Sequence, residues 1–486
     1  MINKLKNLII NSNNYFLSNL LAAFSGFILL PIITSSISVE EYGMLGLYIS
    51  FGSIVNVFFR LGLPGSITRL YYDHGESNGL DNLLTSIVKF LSFYNIILII
   101  ILILFFYLFD PSFLKFKLEL LSFVIFGSAL ETHIDIQRRL IQPREDTKYY
   151  LKFNFYYISL YFLSTLFFLK VINLSYESII YSSFITSFVF FLVSRIYLKK
   201  NLQGNYDSGL ILKAFKYGIG VFPSHLVNPL GTFFFRALIL NLSGLIEAGL
   251  FTMFQVLNNF LSQVANSFGR AYQPMYNSIK SDINLDLKDK NNQIKDISKF
   301  LILIFTFLTF FSALLSEFIV NILTSKKYLM VAEFSFLICI NFLIQILYLI
   351  FSQEIGFAKK TKFYSYFAFL NQFLSIIFFV FLFKNLNSLG GYLSILIANY
   401  FGLFYIIYIS CIKLNLKISI KEISFEIIYL LLTIFLIIYI KLFTDSYLII
   451  STIYIIIYFV IFLYFILNRN KALLNEIKKK YNKSYD

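Results

Sequence analysis

The stretch FTMFQVLNNFLSQVANSFGR (Phe251–Arg270) decides the fold class. It is long and apolar enough to cross a hydrocarbon core, which takes roughly 20 residues of helix. Yet Gln255, Asn258, Asn259, Ser262, Gln263, Asn266 and Arg270 recur within it at i, i+3, i+4 spacing. At 100° per residue these seven fall within an arc of about 140°. Lipid cannot be the neighbour of that face, because polar groups left unsatisfied in hydrocarbon are costly. The segment is therefore a membrane-spanning helix with one wet face, and it is expected to line an aqueous cavity.

The rest of the chain agrees with that reading. Of its 486 residues 58% are hydrophobic, the mean hydropathy is +0.74, and only 14% are charged, against roughly 25% charged in soluble domains. Soluble, disordered and fibrous classes are excluded. Apolar runs place spans at 13–33, 42–62, 84–108, 118–137, 150–169, 176–197, 213–241, 245–269, 298–323, 331–357, 363–383, 389–412, 423–442 and 446–467. The expected fold is an all-α polytopic membrane protein of about 14 transmembrane helices. The first residues do not read as a cleavable signal, since a full-length span follows without a small-residue cleavage site. Cys339 and Cys411 are the only cysteines, so no disulfide framework is expected.

Fourteen spans put both termini on one side. With that side cytoplasmic, inner segments and the span ends beside them hold 33 of the 41 Lys and Arg. Such a bias assigns the cytoplasm to both termini. The net charge of +15 is thereby explained by topology, without a nucleic-acid partner. The basic tail, Arg469 to Lys483, reads as a topology anchor touching anionic membrane lipid. Loops are short, leaving no room for an extramembrane catalytic domain. No Walker-type glycine loop, HExxH or Cys/His cluster occurs, and no cofactor is expected.

VEEYGMLGLY (Val39–Tyr48) is echoed by IEAGLFTM (Ile246–Met253). Glu41 and Gly43 correspond to Glu247 and Gly249, each pair opening a span. A basic linker, residues 198–216, falls at the join. The expected partition is a six-helix bundle over 1–197, a second over 213–412, two extra helices over 423–467, and a cytoplasmic tail over 468–486. Two such halves around a central cavity are typical of alternating-access transporters.

Span 7 repeats the polar pattern with His225, Asn228, Thr232 and Arg236 near one face. Pro223, Pro229, Gly218, Gly220 and Gly231 are expected to interrupt it. Weaker stripes are Tyr15, Ser18, Asn19, Ala22 and Gly26 in span 1, Gly46, Ser50 and Ser53 in span 2, and Asn341, Gln345, Tyr348 and Ser352 in span 10. Arg236 lies well inside a span, and an intramembrane arginine is a functional-site candidate suited to phosphate or carboxylate. Arg60, Arg69 and Arg270 sit at cytoplasmic span ends. They serve as topology anchors or make the inner mouth attractive to an anion. In ALETHIDIQRRL (Ala129–Leu140), Glu131 and Asp135 are four apart and Asp135 is three and four residues from Arg138 and Arg139, a spacing that suits a solvated ion-pair network or a protonatable coupling group.

Several segments carry a family resemblance: LLPIITSSISVEEYGMLGLY (Leu29–Tyr48), RLGLPGSITRLYYD (Arg60–Asp73), IQPREDTKYY (Ile141–Tyr150), GLIEAGLFTM (Gly244–Met253) and SFGRAYQPMYNSI (Ser267–Ile279). Through them nearly the whole chain resembles the Wzx-type oligosaccharide flippases of the MATE-like (MOP) superfamily. The resemblance implies two six-helix bundles around a central cavity, plus two C-terminal helices, in the bacterial inner membrane. It implies a polyprenyl-pyrophosphate-linked oligosaccharide as substrate, such as an O-antigen or capsule repeat unit, moved to the outer leaflet. Membrane lipids and other glycan-assembly membrane proteins are the implied partners. Related flippases use cavity arginines toward pyrophosphate or acidic sugars. Arg236 matches their span-7 arginine, although Phe235 stands where Asp often precedes it. Arg236, Arg270 and Arg60 are thus substrate-binding candidates, with Gln255, Asn259, Gln263, Asn266, Asn228 and His225 meeting the glycan. Peptidoglycan-precursor flippases carry span-1 arginines; residues 13–33 have none, which argues for a surface glycan.

The alternative is a MATE-type cation or drug antiporter. That class usually has twelve spans and an acidic residue in span 1; this chain reads as fourteen, with none. A glycan polymerase or ligase would need a large outer loop.

Overall fold

The computed structural model describes residues 17–18, 21, 25–74, 78–109, 115–144, 146–282, 286–358, 360, 362–414 and 424–443. The long elements are helices: α1 (Ser25–Ser36), α2 (Val39–Arg60), α3 (Leu63–His74), α4 (Asn78–Leu108), α5 (Leu118–Ile141), α6 (Thr147–Lys170), α7 (Glu177–Leu198), α8 (Ser208–Ser281), α9 (Leu287–Leu323), α10 (Leu329–Glu333), α11 (Phe336–Phe357), α12 (Lys362–Tyr408) and α13 (Ser424–Phe443). Among the described residues seven helical stretches are individually long and apolar enough to cross a membrane. The fold is an all-α polytopic membrane fold. The fourteenth expected span, 446–467, the tail beyond it, and Tyr15, Asn19 and Ala22 of span 1 lie outside the described residues.

Two of the helices are each a pair of spans. Helix α8 leaves helical geometry only at Gly244 (φ 86°, ψ −175°), a conformation open to glycine and strained for other residues. Helix α12 breaks at Asn387 (φ 45°, ψ −126°); asparagine is among the few other residues that tolerate positive φ. These breaks fall where the apolar runs were separated in the sequence, at 241/245 and 383/389. They are also tied together: the Ser243 hydroxyl donates to Asn387 Oδ1 at 3.3 Å, and the Ser388 amide donates to Glu247 Oε2 at 3.0 Å. The expected interruption of span 7 is corrected. Backbone angles stay helical through Pro223 and Pro229, because proline's fixed φ suits a helix even where it removes a hydrogen bond.

Contacts divide the chain into two compact units. One runs to Thr252 and takes in Leu323–Lys327 and Val380–Gly391; the other holds Met253–Ile322, Tyr328–Phe379 and the chain from Tyr392. In the first unit, Leu63, Ile67, Leu84, Ile87, Ile136 and Leu198 form a fully buried core. In the second, Ile302, Phe310, Leu343, Ile346, Leu403 and Ile437 do the same. The lipid-facing surfaces carry the apolar residues that a soluble protein would bury, such as Phe93, Ile100 and Leu104 on α4.

Within the first unit the repeat detected in the sequence becomes a contact. Ser38 starts α2 with a reciprocal cap: its hydroxyl accepts from the Glu41 amide at 3.2 Å, and its own amide donates to Glu41 Oε2 at 2.7 Å. One turn on, α2 crosses the segment after Gly244 with backbones touching. A Cβ on Gly43 would lie 2.6 Å from the Leu245 carbonyl oxygen and 2.9 Å from the Gly249 nitrogen, and a Cβ on Gly249 would overlap the Val39 carbonyl. At the far end of α2, Leu61 and Gly62 turn left-handed (φ 47° and 71°), and a Cβ on Gly62 would stand 2.7 Å from the Gly218 carbonyl of α8.

This crossing predicts a contrast between two glycine-to-alanine changes. Gly249→Ala should lower stability by about 1–3 kcal/mol, since the new methyl meets backbone rather than a movable side chain. Gly65→Ala, whose methyl would meet only Tyr217 at 3.9 Å, should be neutral or stabilising, by up to about 1 kcal/mol from helix propensity. Melting of the detergent-solubilised proteins, followed by size exclusion, checks both.

Candidate functional site

The polar stripe of α8 lies in the second unit and is split in two by its surroundings. Asn258 and Ser262 occupy one edge of the arc. Asn258 Oδ1 accepts from Asn341 Nδ2 (α11) at 2.6 Å and from the Tyr392 hydroxyl (α12) at 3.3 Å. The chain of amides continues. Asn399 Nδ2 donates to Asn341 Oδ1 at 2.9 Å, and Asn371 Nδ2 donates to Asn399 Oδ1 at 2.6 Å. Four asparagines from α8, α11 and both halves of α12 are thus linked inside an apolar bundle, which is where buried polar groups need partners, although Asn371 Oδ1 at the end of the chain accepts no hydrogen bond. Ser262 returns its hydroxyl to the Asn258 carbonyl at 2.8 Å.

The other edge of the arc is open. Asn259, Gln263 and Asn266 are exposed, with Gln255 half-buried between the two edges. These are the positions at which a sugar's hydroxyls could find amide donors and acceptors. The backbone of Arg270 continues the same helix.

The remaining candidates lie in the first unit. Arg236 is 4% exposed, and its Nη1 donates to the Gly46 carbonyl of α2 at 2.6 Å. Tyr42, one turn earlier on α2, is its electrostatic neighbour. In this structure the guanidinium is turned toward α2 rather than toward solvent. The α2 backbone is reached closely here: Gly43 lies against the backbone of Leu245 and Gly249, and Gly46 against the Thr252 side chain. Asn228 is exposed, and its carbonyl accepts the Thr232 hydroxyl at 3.0 Å. His225 is exposed, within electrostatic reach of Arg139, Arg60 and Asp135.

Arg60 belongs to a charge network. It lies 3.2 Å from Glu131 Oε2 and 3.8 Å from Asp135 Oδ2, and Arg139 Nε lies 3.6 Å from the other Asp135 oxygen. The Tyr157 hydroxyl donates to Glu131 Oε1 at 3.3 Å. Arg138, expected to pair with Asp135, places its guanidinium 4.8 Å over the Tyr157 ring and 5.7 Å over Phe153, a cation–π arrangement. Glu131 also stands in the wall of a cavity of about 370 Å³ with Ser53, Asn56, Ser128, Tyr157, Tyr161 and Ser183. The Arg60 and Asp135 partnership joins residues far apart in sequence, which spacing along one helix could not reveal.

One buried charge was missed by sequence reading. Glu354, on the last turns of α11 in the second unit, is 6% exposed. It accepts the Tyr276 hydroxyl and pairs with Lys280 Nζ at 2.9 Å. A carboxylate one turn from the end of an otherwise uncharged span was the available signal. Among the described residues no group of three or more His, Cys, Asp or Glu is placed to hold a metal ion, and Cys339 and Cys411 are free thiols.

Comparison with solved structures gives the fold. A structure described as the lipid II flippase MurJ in an inward closed conformation matches with a TM-score of 0.70 and 18% identity, over 96% of this chain and 100% of that one. Inward-facing and outward-facing conformations of a multidrug resistance MATE family transporter of the MOP superfamily match with TM-scores of 0.63 and 0.61, each at 12% identity. They cover 84% and 85% of this chain and 95% and 97% of theirs. No curated protein matches the sequence. A family model described as polysaccharide biosynthesis protein matches residues 6–280. That match spans more than half of the chain, which therefore belongs to the polysaccharide biosynthesis protein family and has the all-helical fold of MOP-superfamily flippases and transporters.

Proposed function

We propose that this protein moves a polyprenyl-pyrophosphate-linked oligosaccharide from the cytoplasmic to the outer leaflet of the bacterial inner membrane by alternating access, with both termini in the cytoplasm. It acts as a transporter rather than an enzyme. The observation that carries the reading is the open edge of α8, where Asn259, Gln263 and Asn266 are exposed on a membrane-crossing helix. Amides exposed at that depth meet water or a polar cargo, since lipid offers them nothing. Membership in a polysaccharide biosynthesis family and the flippase-type fold point to a glycan as that cargo. Fixed cations are needed for the pyrophosphate, and Arg270 follows the amides on the same helix. The prenyl tail needs only lipid.

In this proposal Arg60 and Arg236 support the substrate path rather than touch the glycan in the conformation described. Arg60 is held by Glu131 and Asp135, and Arg236 by the Gly46 carbonyl. His225 and Asn228 stay available as exposed polar groups on α8.

A second reading, export of a cation, draws on the cavity containing Glu131, Tyr157 and Tyr161. It is disfavoured because Glu131 is already paired with Arg60.

Two outcomes follow. The double variant Gln263→Leu, Asn266→Leu should reach the membrane in normal amount yet reduce surface-glycan export at least tenfold. Glycan staining and extraction of accumulated lipid-linked oligosaccharide would show it, and full export would refute the assignment of this face. Arg236→Ala should lower stability by about 1.5–3 kcal/mol, the range for a hydrogen bond from a charged donor, with Arg236→Lys falling between it and the parent. Thermal melting separates that loss from any loss of transport.

A further inference from the structure

The first unit carries a second recess, distant in sequence from the α8 stripe and unused by the proposed transport. It has a volume of about 390 Å³ and is lined by Arg144, Tyr149, Val193, Ile196, Tyr197, Lys200 and Asn201. Its floor is a pair of stacked rings, Tyr149 and Tyr197, with centroids 5.0 Å apart and planes 24° from parallel. Arg144 stands over one side and donates to the Tyr197 hydroxyl at 3.4 Å and to Asn201 Oδ1 at 3.2 Å. Asn201 is itself oriented by donating Nδ2 to Asp81 at 2.9 Å, which turns its oxygen toward the guanidinium. Lys200 is exposed at the rim.

The surroundings tell what such a recess can hold. Along α7, Phe188, Leu192 and Ile196 follow one another at i, i+4, i+8, and they are 47%, 47% and 75% exposed. That stripe faces hydrocarbon. It stops at Lys199 and Lys200, where an apolar surface gives way to basic side chains and tyrosine hydroxyls, the residue signature of the headgroup zone. The recess therefore lies where the glycerol–phosphate region of a lipid would lie. Its lining is mixed to match, with the cations Arg144 and Lys200 and the apolar Val193 and Ile196.

We infer that this recess is a phosphate-binding site for an anionic phospholipid. In it Arg144 and Lys200 hold the headgroup phosphate, Tyr149 and Tyr197 carry the glycerol region, and an acyl chain runs along the Phe188–Leu192–Ile196 stripe. Arginine suits this because its planar fork matches the geometry of phosphate oxygens. Under the orientation proposed above the site is in the cytoplasmic leaflet, whose anionic lipids attract such basic groups. The inference rests on the membrane-spanning reading and not on the nature of the cargo, so its test reads lipid binding rather than export.

The test uses the purified full-length chain in detergent. It is titrated separately with dihexanoyl phosphatidylglycerol, dihexanoyl phosphatidylcholine and inorganic phosphate while the melting temperature is followed. Phosphatidylglycerol should stabilise the parent at about fivefold lower concentration, or less, than phosphatidylcholine does. Lys200→Glu should weaken that response about fivefold or more, in line with the contribution of one surface cation. Arg144→Gln with Lys200→Gln should abolish the preference. Lys200 is exposed, so Lys200→Glu remains decisive if the double variant does not fold. If inorganic phosphate alone reproduces the whole shift, and Lys200→Glu removes it, the phosphate site stands but the lipid as its source is overturned. Absence of a preference for phosphatidylglycerol in the parent, or a preference unchanged in Lys200→Glu, overturns the site itself.

Discussion

The structure of the first unit depends on one backbone contact, the crossing of α2 over the segment that follows Gly244. Helix axes usually stay about 8–10 Å apart because side chains separate them. Here Gly43 and Gly249 remove the side chains from both partners, and a Cβ on either would meet main-chain atoms. In a membrane, where apolar burial does little to drive helices together, such close packing is a principal source of association. The contact also lets Arg236 reach the Gly46 carbonyl. With an ordinary spacing that guanidinium would be stranded among phenylalanines. Glu41 and Glu247 stand at matching places in the repeat, and each accepts a backbone amide, from Ser38 and Ser388 respectively. The repeated glutamate and glycine are therefore a structural device used twice, with the carboxylate ordering a helix start and the glycine admitting the neighbouring backbone.

The second unit handles polarity differently. Its asparagine chain, from Asn371 through Asn399 and Asn341 to Asn258, costs little because each member serves as donor, acceptor or both. Interhelical hydrogen bonds of this type contribute on the order of 0.6 kcal/mol each in membranes, so the chain specifies which helices meet more than it stabilises them. It engages only one edge of the α8 stripe. Packing satisfies Asn258 and Ser262, and Asn259, Gln263 and Asn266 remain exposed.

The architecture was largely legible in the sequence. Apolar runs located the spans, and the breaks at Gly244 and Asn387 fell between runs because glycine and asparagine are the residues that tolerate positive φ. The polar arc of α8 was legible as an angle. Its division was not, because periodicity reports direction from one helix axis and is silent about what stands there. The same limit applied to Arg60, whose partners Glu131 and Asp135 lie about 70 residues away in sequence, and to Glu354, whose lysine and tyrosine come from α8. The prolines of α8 misled for another reason. A proline's ring and missing amide signal a break only when the rest of the backbone yields, and here the packed helix does not.

The pairing of charges bears on the kind of cargo. A transporter of cations needs a carboxylate that is free to meet one. In the described part of this chain three carboxylates of the helices are paired: Glu131 with Arg60, Asp135 with Arg60 and Arg139, and Glu354 with Lys280. The Lys280–Glu354 pair is buried, and breaking a buried pair costs several kcal/mol. Asn259, Gln263 and Asn266, the exposed groups of the α8 stripe, are amides instead. They carry no net charge, offer donors and acceptors in equal measure, and can exchange water for hydroxyl groups at little cost in either direction. Such a surface binds sugars weakly and reversibly. In the proposed transport that would suit release of the cargo on the far side, with the lacking affinity supplied by the charged pyrophosphate of the proposed substrate.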